Sequence, residues 1–341
     1  MILTLPGRLA TCALAALFAT LTTLPAPARD DDDDETPTQL VNRVLAAAWK
    51  ENKVTPPRRT TDDEFARKLY PDLIGRAPTA KEIAALEADQ AKDKRTKLIE
   101  RLLSDNSWAE RQAEVWTNAL IPANYKAAYK TQFRKWLSGS LVAGTPYTDI
   151  VTAMLAATGK TSENGAVHFV LANLGTPLPA ERRADDGQFE MIPVTGRTGR
   201  VFLGQGFQCL ACHSHPFDAD LRQRDFWGIN AFFRQAERVV DPDDASVLEL
   251  KDNHKLNAEG VVKFKRRTGY WDATGLNFLK GRSPKAEDER TRRVMLAEFV
   301  VKNKNFAPVA VNRTWLSLFG RGLLENGELD DLGDITETPG P

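Results

Sequence analysis

Cysteine is scarce in this chain, at three of 341 residues. That is too few for the disulfide framework with which small exported domains compensate for a thin core. The short catalytic signatures are absent as well: no G-x-S-x-G elbow, no P-loop, no H-E-x-x-H helix and no glycine-rich dinucleotide loop. Gly204-Gln205-Gly206 is a two-glycine fragment that reads as a bend at a helix end. No catalytic residue is therefore named. Charge of one sign is lacking too, since 46 Lys and Arg balance 46 Asp and Glu. This excludes a general attraction to nucleic acid or anionic lipid, and leaves partners to be argued from local sites.

Only the start of the chain carries a long apolar run. Arg8 is followed by an apolar stretch from Leu9 to Leu24, closed by Ala26-Pro27-Ala28 and Arg29, the n-region, h-region and A-x-A pattern of a secretory signal. The run is too short for a permanent span of about 20 apolar residues. The expectation is a cleaved signal at 1–28 and a periplasmic or secreted mature chain with no transmembrane segment. Cys12 leaves with the signal.

Hydrophobic residues at 42% of the whole chain, with seven Trp, supply a substantial core. Asp30 to Glu35 are six consecutive acids, read as a disordered acidic leader at 29–37 rather than a calcium cage, because like charges without turn residues do not preform one. Helical spacing then dominates. Leu40, Val41, Val44, Leu45 and Ala48 form a stripe that ends before Pro56-Pro57. From Asp62 to Leu120 the pattern stays helical, with Thr79-Ala80-Lys81-Glu82 as a capping box. Further helices are expected at Tyr125–Leu137, Tyr147–Ala157, Gly165–Leu171, Asp225–Phe233, Arg290–Val301 and Phe306–Phe319. Between them, Val247-Leu248-Glu249-Leu250 and Val261-Val262-Lys263-Phe264 read as short strands around a polar Asn253–Gly260 turn. The predicted fold class is mainly α: an irregular helical domain over 38–240, a small β insertion near 241–270 within a linker at 241–285, and a second helical segment from 286 to 341.

The two remaining cysteines stand in Cys209-Leu210-Ala211-Cys212-His213. In an oxidising compartment a single local pair points to chemistry or a metal rather than to a staple. On a helical turn, residues i and i+3 face the same way, so both thiols can meet the two vinyl groups along one side of a porphyrin, and the adjacent His213 can turn its imidazole to the iron. That is the C-x-x-C-H pattern of covalent haem c, with Cys209, Cys212 and His213 binding the cofactor. A local disulfide is the first rival, though redox C-x-x-C pairs usually sit in a thioredoxin-like βαβ context. Zinc held by Cys209, Cys212, His213 and His215 is the second, although His213 and His215 are closer than the usual H-x₃₋₅-H spacing.

His215 lies too near His213 to reach the opposite face of the same macrocycle. It is expected in a turn beside the site, hydrogen-bonded to a carboxylate such as Asp218 or Asp220. The distal iron ligand stays open among Met154, Met191, Met295, His168 and His254. A Met would favour electron transfer, whereas an open position would favour small-ligand or peroxide chemistry. The expected role is electron transfer with a redox partner that the sequence does not identify. The alternative is an exported binding or scaffold protein whose C-x-x-C-H holds a disulfide or zinc.

Three stretches carry a family resemblance. Phe65-Ala66-Arg67-Lys68-Leu69-Tyr70-Pro71-Asp72-Leu73-Ile74-Gly75-Arg76-Ala77-Pro78-Thr79 with the Lys94–Leu103 helix, and Phe202-Leu203-Gly204 through Cys209 to Asp218 with Asp225-Phe226-Trp227-Gly228-Ile229-Asn230-Ala231-Phe232-Phe233, resemble the planctomycete cytochrome-C-like domain of unknown function DUF1549. Phe306-Ala307-Pro308-Val309-Ala310-Val311-Asn312-Arg313-Thr314-Trp315 and Leu318-Phe319-Gly320-Arg321-Gly322-Leu323 resemble the start of its companion domain DUF1553. The resemblance implies a secreted protein with a cytochrome-like module joined to a companion domain. The companion departs from its pattern at Gly333-Asp334-Ile335-Thr336, where it is expected to be cut short.

Overall fold

Thirteen α-helices and five short strands make up the regular structure of the described residues, which in this computed structural model are 35–215, 221–284 and 288–323. The predicted signal and most of the acidic leader lie outside them. The chain forms two units, divided between Arg58 and Arg59. The described helix of the first is α1 (Pro37–Glu51), opened by a reciprocal cap in which Thr36 and Gln39 satisfy each other's backbone N–H groups. Its apolar stripe, including Leu40 and Val44, is exposed.

The second unit begins with α2 (Asp62–Ile74), α3 (Ala80–Ala88), α4 (Lys94–Leu103) and α5 (Asn106–Leu120). Capping boxes start α2 at Thr61/Glu64 and α3 at Thr79/Glu82, the latter as expected. Asp62 ties the start of α2 to α4 through Lys94 at 2.6 Å and Arg95 at 2.8 Å. Ala66, Tyr70, Leu73, Ile83, Leu86, Leu98 and Leu102 close a small core among these helices.

A larger core takes apolar faces from α5, α6 (Ala127–Val142), α7 (Tyr147–Ala156), α8 (His168–Ala172), α10 (Ile192–Leu203), α11 (Gln223–Phe233), α12 (Arg292–Val301) and α13 (Phe306–Phe319). A one-turn helix, α9 (Arg183–Asp186), lies in the loop opened by Pro177 and Pro179. Phe133, Phe169, Phe202, Phe207, Phe226, Phe232 and Phe233 are all fully buried.

Strand is confined to β1 (Gly159–Lys160), β2 (Ala236–Val240), β3 (Leu248–Asp252), β4 (Val262–Lys265) and β5 (Trp271–Thr274). The fold is thus mainly α with a small β insertion, as its sequence predicts. The two foreseen strands are present as β3 and β4, but they do not pair with each other. β3 sits between β1 and β2 in an antiparallel sheet, and β4 pairs with β5. Asn257, at φ +44°, explains the parting. Its N–H donates to Ala184 O at 2.6 Å, and its amide donates to Asp185 O and Val261 O. Arg292 in turn donates to its Oδ1 at 2.9 Å. The connection is thereby pinned to α9 and α12 rather than folding back as a tight hairpin.

Candidate functional site

α10 delivers the chain to the cysteines. It ends at Gly204, whose φ of +60° makes the left-handed cap that the two-glycine fragment suggested. The next residues form a 3₁₀ turn, Phe207–Ala211. Two helical glycines let this turn seat on α10. A Cβ at Gly199 would stand 2.0 Å from Phe207 Cδ2, so only hydrogen fits beneath that ring, while Gly196 faces Gln208 at 3.5 Å.

Cys209 and Cys212 span one turn, with Cys212 N–H donating to Cys209 O at 3.1 Å and His213 N–H donating to the same carbonyl at 3.3 Å. Residues i and i+3 of a 3₁₀ turn eclipse one another. The two form no disulfide with each other. Cys209 is half-buried and donates from Sγ to Gly206 O at 3.2 Å, whereas Cys212 is exposed.

His213 is half-buried, and its Nδ1 lies 2.7 Å from Ser214 O. A carbonyl can only accept, so Nδ1 carries the proton, and in the neutral ring Nε2 keeps the lone pair. Imidazoles that ligate metals are held in this way, with the second nitrogen donating to a carbonyl or carboxylate. The donor set fits haem iron.

α11 roofs the turn. Ala211 O accepts from Gln223 Nε2 at 3.1 Å and from Trp227 Nε1 at 3.2 Å. The Gln223 amide also donates to Lys265 O at 2.8 Å, and the Trp227 ring stacks on Phe264 at 6.0 Å and 10°. The β4–β5 hairpin is thus bound to the cysteine turn. At the first turn of α11 a cleft of about 620 Å³ opens, lined by Arg222, Arg224, Asp225, Thr274 and Asn277.

His215 is half-buried and donates its backbone N–H to Leu221 O at 2.9 Å. Asp218 and Asp220 lie outside the described residues. Met154, Met191 and Met295 are packed in the large core. His168 is fully buried, and both its ring nitrogens are engaged, by Tyr125 Oη at 3.1 Å and Gln132 Oε1 at 3.0 Å. Burial pushes its pKa down to about 4. His254 is exposed. Among the described residues no group of three or more His, Cys, Asp or Glu gathers as a metal site, so the four-residue zinc set is not assembled there. Gln223 and Gly199 were missed by sequence reasoning, because neither stands out until the turn and its neighbours are placed.

The profile of the family described as PSCyt2, a protein of unknown function (DUF1549), matches residues 40–238, more than half of the chain. The chain belongs to this family. Within the DUF1549 match lie the cysteine turn, α10 and α11; β3, β4, β5, α12 and α13 follow it. The chain matches no curated protein and no solved structure. No helix among the described residues is long and apolar enough to cross a membrane.

Proposed function

We propose that this DUF1549 member is an exported electron-transfer protein carrying haem c on Cys209 and Cys212, with His213 as the proximal ligand. The observation behind it is the pairing of two thiols one 3₁₀ turn apart with an adjacent imidazole whose Nδ1–H donates to Ser214 O, leaving the Nε2 lone pair for a metal. Each thiol would add its S–H across a vinyl group, giving two thioethers with no leaving group. The iron would supply a one-electron couple.

The protein's own part is positioning. Gly199 admits Phe207 beneath the turn, and Ala211 O is held from two sides by Gln223 and Trp227. Arg222 and Arg224 in the adjoining cleft supply cations for the carboxylates that a porphyrin carries. His215 would shape the chain beside the ligand. Export rests on the signal-like segment at 1–28, and the Phe306–Leu323 stretch is the start of a DUF1553-like companion.

The test is a haem stain of denatured protein produced in a host with c-type maturation machinery. Covalent colour is expected, and it should vanish in the Cys209→Ala, Cys212→Ala double variant. A colourless native chain ends the proposal. Intact mass then separates the rivals: a disulfide removes two hydrogens, and zinc is lost to chelator.

A further inference from the structure

Trp271 and Tyr270 are neighbours in sequence and in exposure, at 71% and 77%. The other six Trp and four Tyr of the chain are buried or half-buried. Aromatic area of this size is normally removed from water, so its concentration at one place calls for an occupant. The place is the β4–β5 hairpin. Its register sets Lys265 across from Trp271 and Lys263 across from Ala273. These four residues are exposed, while Val262, Phe264 and Thr274 on the other face are buried.

Charge points to what covers this face. Lys263, Lys265, Arg266 and Arg267 stand on the hairpin against the single acid Asp272. Only Arg266 is committed, donating from Nε to Asp272 at 2.8 Å. Lys263, Lys265 and Arg267 make no ion pair among the described residues. On a chain of zero formal net charge, three uncommitted cations around two bare aromatic rings form a local patch rather than part of a general basic surface. Arg with Trp and Tyr is the composition of protein–protein hot spots, and complementary charge steers such encounters.

We propose that the outward face of the β4–β5 hairpin is the docking surface for an acidic protein partner. Its functional meaning rests on the haem reading above. The Gln223 amide donates both to Ala211 O and to Lys265 O, so a partner seated on the outward face is separated from the cysteine turn by the thickness of the hairpin alone. The partner's class is then a one-electron redox protein: it loses one electron, the group held at the turn gains one or the reverse, and no bond or proton moves.

The experiment is fluorescence anisotropy with a labelled peptide of alternating Glu and Leu, titrated with the full chain and with its Cys209→Ala, Cys212→Ala variant. Both are expected to bind equally, and binding should weaken as NaCl is raised. Tyr270→Ala with Trp271→Ala, and separately Lys263→Glu with Lys265→Glu and Arg267→Glu, should each lower affinity roughly tenfold or more without moving the melting temperature. No binding by the native chain, or binding unchanged in both surface variants, overturns the proposal. Preference for dextran sulfate or for phosphatidylglycerol vesicles over the peptide overturns it too, by reassigning the patch to a polyanion or a membrane. A chain that stains for no haem yet binds the peptide through this patch keeps the docking surface and loses only its redox meaning.

Discussion

Whether the cysteine turn can seat depends on one absent methyl group. Gly199 is helical and leaves no room for a Cβ beneath Phe207, whereas Gly196, one turn earlier, meets Gln208 at ordinary van der Waals distance. The two glycines should therefore respond in opposite ways. Gly199→Ala is expected to cost about 1–3 kcal/mol through overpacking and, on the proposed haem reading, to lower haem per chain. Gly196→Ala should be neutral or stabilising by up to about 1 kcal/mol through helix propensity. Urea midpoints and the haem-to-protein absorbance ratio check both, and equal losses would show that Phe207 relaxes freely. At this scale the cysteines and His213 were legible because their spacing is local. Gly199 and Gln223 were not, because their importance comes from partners 8 and 12 residues away, Phe207 and Ala211.

Helices with one apolar stripe and a cap were readable as elements, and α13 has the expected bounds of Phe306–Phe319. α10 escaped, because its two glycines and mixed polar residues carry a helix buried on many sides, including Thr195 and Thr198. Strand pairing escaped as well, because a side-chain clamp decides it. The same kind of clamp holds α12. Arg293, fully buried, donates to Asp252 of β3 at 2.7 Å and to Leu155 O and Ala157 O at the end of α7, at 3.1 and 2.8 Å. A cation there also satisfies helix-terminal carbonyls. Arg293→Met should cost about 3–5 kcal/mol by leaving Asp252 buried without its partner, and adding Asp252→Leu should restore part of that. Denaturant midpoints of the single and double variants measure it, and purely additive losses would show that the ion pair is not the cause.

For the whole molecule, His168 links core packing to pH. It is held neutral, with Tyr125 and Gln132 on its two nitrogens and a pKa pushed from 6.5 down to about 4 by burial. The unfolded chain takes up that proton near pH 6.5, before the folded one does. The stabilisation is therefore complete above about pH 6.5 and is lost as pH falls from there through about 4, to the extent of about 3 kcal/mol. His168→Gln should flatten this acid limb, seen as a smaller difference between urea midpoints at pH 7 and pH 4; an unchanged slope would place the titration elsewhere. The class of the fold was legible from periodicity, but its single large core was not, because it joins residues as far apart as Ala113 and Phe306. That core leaves the Gln223 amide spanning two backbones, Ala211 and Lys265. It ties the two together through a pair of hydrogen bonds, so a displacement of the hairpin is expected to be felt at the cysteine turn. An observer watching the resonance of the residue-212 amide would then register an event on the tryptophan face.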